Sequence, residues 1–412
     1  MRISSQQIYL RGLQGMQSQQ GQVLKLQQQL SSGKKISLPS DDPIAASKIN
    51  LMKQRISSSE RLQANTDASE SALKFEESAL SNLVLTVQRL RELQVNAGNS
   101  ALSQENREAI GKEAAELLNQ LQGLANTQDS NGFYLFSGSK TGVEAITKDN
   151  AGNYIYNGDD TQRYQIVTSG LTVATSDTGS DLFMRIPNGN GRFTISQTAT
   201  PNVGSAALTT GSVYDESAYV EDDYTLSFTL NTSNQVVVMV TGVNSGSVLP
   251  PSGNPDDAPV YQAGAGVNFN GIQLTINGDP QPGDSFSIKP STNESIFSTV
   301  SRMVQNLRQP FDSATERAAV TTENNQILAQ LDSALDNLLT FQAGVGARMN
   351  QLDVATNINE DVTETSKTIL SSLQDTDLAD AAVKLNLQII YLQAAQQSFA
   401  RIQGLTAFNY LK

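Results

Sequence analysis

From Ile44 to Ala97 the chain holds neither glycine nor proline, and the same is true from Ala347 to Gln403. Inside a helix glycine costs about 1 kcal/mol and proline about 3 relative to alanine, so stretches this long and free of both favour long helices. Residues 141–290, by contrast, hold 17 of the 29 glycines and most of the prolines. A chain divided in this way reads as helix, β-rich middle, helix. The expected fold is mainly α: a long coiled-coil-like helical bundle built from both chain ends, with an inserted β-rich domain.

The apolar spacing supports helices at both ends. Residues 3–31 carry Leu10, Leu13, Val23, Leu26 and Leu30 on a background of Gln and Ser, and Ser31-Ser32-Gly33 stops them. A second helix opens at Ser40-Asp41-Asp42-Pro43, where an acidic or hydroxyl cap and a proline suit a first turn, and it extends to about Ala97. Leu73, Leu80 and Val87 recur every seven residues, with Leu83 and Leu90 three after two of them, which is a coiled-coil seam. A third helix is expected over roughly 103–129. Near the other end Leu331, Leu338, Val345 and Leu352 repeat at seven, with Gly344 and Gly346 expected to weaken the helix. Asp375-Thr376-Asp377 caps a last helix, in which Leu378, Leu385, Leu392 and Phe399 repeat at seven with Ala382 and Ile389 between them.

The middle alternates in the manner of strands at Tyr154–Tyr156, Tyr164–Val167, Tyr224–Leu230, Val236–Val240 and Ile272–Ile276, with turns at Asn157-Gly158, Asn231 to Asn234 and Asn277-Gly278. The expected division is threefold. Residues 1–40 with 375–412 form terminal helices; 41–185 with 291–374 form a helical bundle carrying a β-hairpin element; 186–290 form the β-rich insertion. A narrow apolar seam cannot be buried by a lone helix, so the two terminal segments are expected to order against copies of the chain or against a partner.

Chemistry is hard to place on this chain. It has no Cys and no His, which removes thiol nucleophiles, thiolate metal sites and imidazole bases. The net charge of −13 opposes binding to nucleic acid. Asp41-Asp42 and Asp159-Asp160 are adjacent acids of the kind that cap helices and turns. Asp149-Asn150-Ala151-Gly152-Asn153 resembles a calcium loop without its twelfth-position Glu, and a turn is expected there. No phosphate-cradling glycine motif is present. The expectation is a structural protein, not an enzyme, with no cofactor and no metal. There is no apolar run long enough to span a bilayer and no Sec-type leader, so residues alone read as cytoplasmic or exported by another route. The polar face of the last helix is mostly Gln, with Lys384 and Arg401 its basic members, which favours protein partners over a membrane.

Four stretches carry a family likeness: Met1-Arg2-Ile3-Ser4-Ser5-Gln6-Gln7-Ile8-Tyr9; Leu30-Ser31-Ser32-Gly33-Lys34-Lys35-Ile36 through Pro39-Ser40-Asp41-Asp42-Pro43-Ile44-Ala45-Ala46; Gly132-Phe133-Tyr134-Leu135-Phe136-Ser137-Gly138; and Asp375-Thr376-Asp377-Leu378-Ala379-Asp380-Ala381 through Leu392 to Phe399 and on to Leu411. They resemble the flagellin superfamily and, within it, the hook–filament junction family of the filament side. Flagellin itself usually has Ala where this chain has Pro43. The resemblance covers about 1–140 and 295–412 and implies a junction ring between hook and filament. Its partners would be flagellin, the hook-side junction protein, further copies of the chain and a cytoplasmic export chaperone on the C-terminal helix. Its location would be extracellular, in the flagellum, reached through the flagellar type III apparatus without a cleaved signal. The residues expected at the assembly and chaperone interface are Leu10, Leu13, Val23, Leu30, Leu378, Leu385, Ile389, Leu392, Phe399 and Ile402, with Asp41, Asp42 and Pro43 at the bend between shells. A minor flagellin-like filament subunit and a secreted surface adhesin are the alternative readings.

Overall fold

A computed structural model of the chain describes residues 5–99, 101–198 and 202–408; for residues 5, 6, 8 and 402–408 it describes the backbone alone. Among the described residues six α-helices frame the chain: α1 (Ser5–Ser32), α2 (Pro43–Ala97), α3 (Gln104–Ala125), α4 (Ile296–Asn306), α5 (Ala314–Gln374) and α6 (Leu378–Phe408). Between α3 and α4 the chain is β-rich. The mainly α architecture with a central β region agrees with the sequence expectation.

α5 corrects one expectation. It runs unbroken for 61 residues through Gly344 and Gly346. A methyl group on either glycine would meet only open space, while Leu338, Val345 and Leu352 are fully buried or nearly so on the other face. Burial of that seam outweighs the roughly 1 kcal/mol helix penalty of each glycine. α3 is also shorter than expected, ending at Ala125, because Asn126 turns inward and its side chain bonds the backbone of Ile146 through both amide atoms, at 2.7 and 2.9 Å.

The chain divides into two compact units. The first comprises Met1–Thr66, Val167–Leu171 and Val354–Lys412; the second comprises Asp67–Ile166 and Thr172–Asp353. In the second unit the β region holds a five-stranded antiparallel sheet in the order Gly246–Leu249, Val236–Gly242, Tyr224–Leu230, Ser285–Pro290, Phe193–Gln197. A smaller sheet is centred on Ile272–Asn277, flanked by Gly266–Phe269 and Ala207–Leu208. The alternation that predicts these strands also builds their core. Tyr224, Leu226 and Phe228 point inward against Leu274, Ile276 and Phe286, while Thr225 faces out.

The helical part of the second unit is a seam with regular heptad spacing. On α2 Leu73, Glu76, Leu80, Leu83, Val87, Leu90, Gln94 and Ala97 are buried, and on α5 Ile327, Leu331, Ala334, Leu338, Val345 and Leu352 are buried. Two contacts fix the antiparallel register. Gln94 Nε2 donates to Asn324 O and Oδ1 at 3.1 and 3.0 Å, and Arg91 pairs with Asp332. A buried amide layer of this kind penalises slippage, since a shifted register would leave both amides unpaired. The aromatic residues of the Gly132–Gly138 segment join the same unit. Phe136 meets Phe183 edge-on at 5.5 Å, and Phe183 lies 5.8 Å from Phe297. Gly138 is required to be glycine: its φ is +67°, and a Cβ there would lie 2.2 Å from Asp159 O.

Candidate assembly surface

In the first unit α1 and α6 lie antiparallel. The positions of α1 withdrawn from solvent include Gly12, Met16, Gln19, Val23, Leu26 and Leu30, a 4-3-4-3-4 spacing. Those of α6 include Ala381, Leu385, Gln388, Leu392, Ala395 and Phe399, with the same kind of spacing. Two contacts set the register. Phe399 lies over Gly12, where an added Cβ would come within 2.8 Å of its ring, and Tyr9 packs on the same ring at 5.2 Å. Further along, Gln388 Nε2 donates to Gln22 Oε1 at 2.7 Å.

The chain crossings at the end of this pair are clasped by backbone. Lys34 and Asp375 form a bridge; Lys35 N donates to Gln374 O at 2.7 Å and Thr376 N to Gly33 O at 2.9 Å. Gly33, at φ +68°, makes the turn that α1 needs to stop. Asp41 accepts from the amides of Ser37 and Leu38 at 3.3 and 3.1 Å and pairs with Lys25 at 3.0 Å. The Lys25 bond, followed by the Leu38 amide, holds the Asp41 carboxyl below its ordinary range. Asp42 Oδ1 accepts from the amides of Ile44 and Ala45, both at 3.0 Å, and so caps α2, with Pro43 as its first residue. Asp377 does the same for α6 through Ala379 N and Asp380 N.

The residues expected at the interface fall into two groups. Val23 is buried between α1 and α6, and Leu13, Leu30, Leu385, Ile389, Leu392 and Phe399 are half-buried. Leu10 and Leu378 stand more than half exposed, off this contact. The side chain of Ile402 lies outside the described residues. Sequence reasoning overlooked Gly12, Gln19 and Gln388 as seam positions because none is apolar. It also overlooked a second stripe on α6, Val383, Leu387, Ile390 and Tyr391, which is exposed. Its 4-3 spacing was present in the sequence but lay beside a more regular repeat. α6 is therefore apolar on two sides, one against α1 and one turned to solvent.

The remaining acidic pairs are structural. Asp159 is bound by the hydroxyl and amide of Ser139 and by Thr161 N, and these donors hold its carboxyl at about 2. Asp160 pairs with Arg185. Asp149 closes a turn by accepting from Ala151 N and Asn153 N, both at 2.8 Å. Among the described residues no acidic cluster suited to a metal ion occurs, and no helix is long and apolar enough to cross a membrane.

Residues 3–141 match the bacterial flagellin N-terminal helical region and residues 328–411 the bacterial flagellin C-terminal helical region. Two solved structures from Legionella pneumophila are similar. That of flagellar hook associated protein-3 is 53% identical with a TM-score of 0.78, covering 79% of this chain and 98% of that one. That of the flagellar junction protein FlgL is 52% identical with a TM-score of 0.75, covering 80% and 100%. Flagellar hook-associated protein 3 of Salmonella typhimurium is 35% identical over 187 residues, which span 45% of this chain and 58% of that relative. Paired terminal helices around a β-rich centre, matched at both ends by flagellin regions, define a structural protein of the flagellin superfamily. Within it the chain belongs to the flagellar hook-associated protein 3 family, the structural subunits of the hook–filament junction, and it is not an enzyme. Its place is the bacterial flagellum, among other flagellar assembly components.

Proposed function

We propose that the chain forms a junction ring, joining the hook-side junction protein to flagellin through its two terminal helices. The observation that carries this reading is the outward stripe of α6. Val383, Leu387, Ile390 and Tyr391 are exposed on a helix whose other face is already taken by α1. Burying four such side chains against a neighbour stabilises association by several kcal/mol before ordering costs, about 1.5–3 for each large apolar residue fully buried. Flagellin and further copies of the chain are the natural occupants, because the chain matches flagellin in both terminal helical regions. In this reading residues 1–40 with 375–412 are the inner layer, 41–185 with 291–374 the next, and 186–290 face outward. Asp41, Asp42 and Pro43 fix the turn between the first two. The same apolar α6 would be covered by a cytoplasmic chaperone before export through the flagellar type III apparatus to the cell exterior.

The test is complementation of a strain lacking the gene with chains carrying Leu387→Glu and Ile390→Glu. The altered chain is expected in the medium, together with shed flagellin, and electron microscopy is expected to show bare hooks. Filaments of normal length would overturn the assembly role of this stripe. Absence of the variant from the medium while it accumulates inside cells would instead assign the stripe to chaperone or export contacts.

A further inference from the structure

Glu76 sits in the α2–α5 seam between Leu73 and Leu80, and it is 1% exposed. Its Oε1 accepts from Asp177 N at 2.8 Å, but its Oε2 is buried and has no hydrogen-bond partner among the described residues. The Asp177 carboxyl, itself buried, stands beside it. One oxygen of Asp177 accepts from Gln162 Nε2 at 2.9 Å, and the other pairs with the guanidinium of Arg348, which reaches over from α5. Arg348 is 4.0 Å from Glu76 Oε2, too far for a hydrogen bond, and also donates to Ala174 O at 3.4 Å. Arg163 faces the same pocket, tied to Ser176 Oγ at 3.1 Å and to Leu135 O at 3.3 Å. Two carboxyls thus share one close guanidinium, with Leu73 and Leu80 on either side of Glu76 along the seam. Asp177 has the ion pair, and Glu76 has an orphaned oxygen.

We propose that this cluster is a pH-sensitive catch in the helical seam: Glu76 holds a proton while α2 and α5 are closed, and its ionisation weakens their pairing. An ionised Glu76 would place a second negative charge beside Asp177 with no hydrogen bond to its outer oxygen, whereas the protonated acid is neutral. Burial first, and then the charge of Asp177, push the Glu76 carboxyl up from 4.5 to about 7, against the opposing pull of Arg348. The direction of the linkage follows. The folded chain binds this proton more tightly than the unfolded chain does. The stabilisation is therefore fully present below about 4.5, declines as pH rises, and is lost once pH passes about 7.

Denaturant unfolding of the full chain, measured from pH 5 to 9 beside Glu76→Gln, isolates this group from the many other carboxyls. The ratio of the wild-type to the variant unfolding constant is expected to rise about tenfold per pH unit between roughly 5 and 7 and to level off above about 8, as loss of one proton requires. Asp177→Asn, which leaves Arg348 to Glu76 alone, is expected to flatten the profile, whereas Glu60→Gln on the exposed surface is expected to keep it. Should Glu76→Gln not fold, the infrared band of a protonated carboxyl in the wild-type chain gives an independent reading and is expected to persist to neutral pH. A ratio that stays constant across the range, or a Glu76 carboxyl fully ionised at pH 6, would overturn the proposal.

Discussion

Arg107 is fully buried, and its guanidinium closes two helix ends at once: Nη1 donates to Ala97 O at the end of α2 and Nη2 to Asn306 O at the end of α4, both at 3.2 Å. The face of the guanidinium rests 4.3 Å above the Phe311 ring. Helix C-termini expose unpaired carbonyls and carry partial negative charge, so a planar cation with several donors suits both needs. Arg107→Ala is expected to destabilise the chain by about 3 kcal/mol, since each abandoned buried carbonyl costs about 1–3. Arg107→Lys is expected to recover only part of that, because an ammonium lacks the planar fork. Denaturant midpoints of the two variants check both values. Nothing in the sequence marks Arg107. It stands between Asn106 and Glu108 in a polar helix, and its burial depends on where α4 comes to lie.

Among the elements, the long helices were legible and their polar layers were not. The absence of glycine and proline and the sevenfold repeats were enough to place α2 and α6, because a leucine stripe declares itself in one dimension. Gln94 and Glu76 both lie in the seam, yet each makes sense only once a group distant in the chain is known: Asn324 for Gln94, and Asp177 for Glu76. The same holds for Gly12. It reads as a weak point in α1, but it is the hollow that receives Phe399. Gly12→Leu is expected to expel that ring and open the α1–α6 pair, measured as loss of helical circular dichroism and faster proteolysis of both ends. Gly15→Ala, where no atom lies within 4 Å, is expected to leave the pair intact or slightly steadier, since alanine is the better helix former.

At the scale of the whole molecule the two units differ in what they bury. Large apolar side chains that are fully enclosed, such as Leu73, Leu80, Leu83, Phe136, Phe228 and Phe286, lie in the second unit. The first unit encloses mostly small or polar groups, among them Ala45, Ser59, Thr66, Ala355, Asn359, Ser366 and Ala381, with Val23, Ile49, Met52 and Val167 its larger members. Local stability follows enclosed apolar area, so amides of α1 and α6 in the isolated subunit are expected to exchange with deuterium orders of magnitude faster than those of 80–94 and 327–345. Hydrogen-exchange mass spectrometry reads this directly, and equal protection would show that the terminal pair is stable without a neighbour. The sequence indicated this contrast only in outline, through the Gln and Ser that flank the terminal seams.

The clasp at Lys34 and Asp375 has a consequence for timing. α1 is made before the rest of the described elements, but its partner begins only after everything from Gly33 to Asp377 has been made. Pairing over so long an intervening chain is slow to form, and it cannot start before α6 is made. The β region and the α2–α5 seam have all their own residues earlier. A chain so ordered keeps its adhesive face unfinished until the second unit has been made, so topology alone delays premature association.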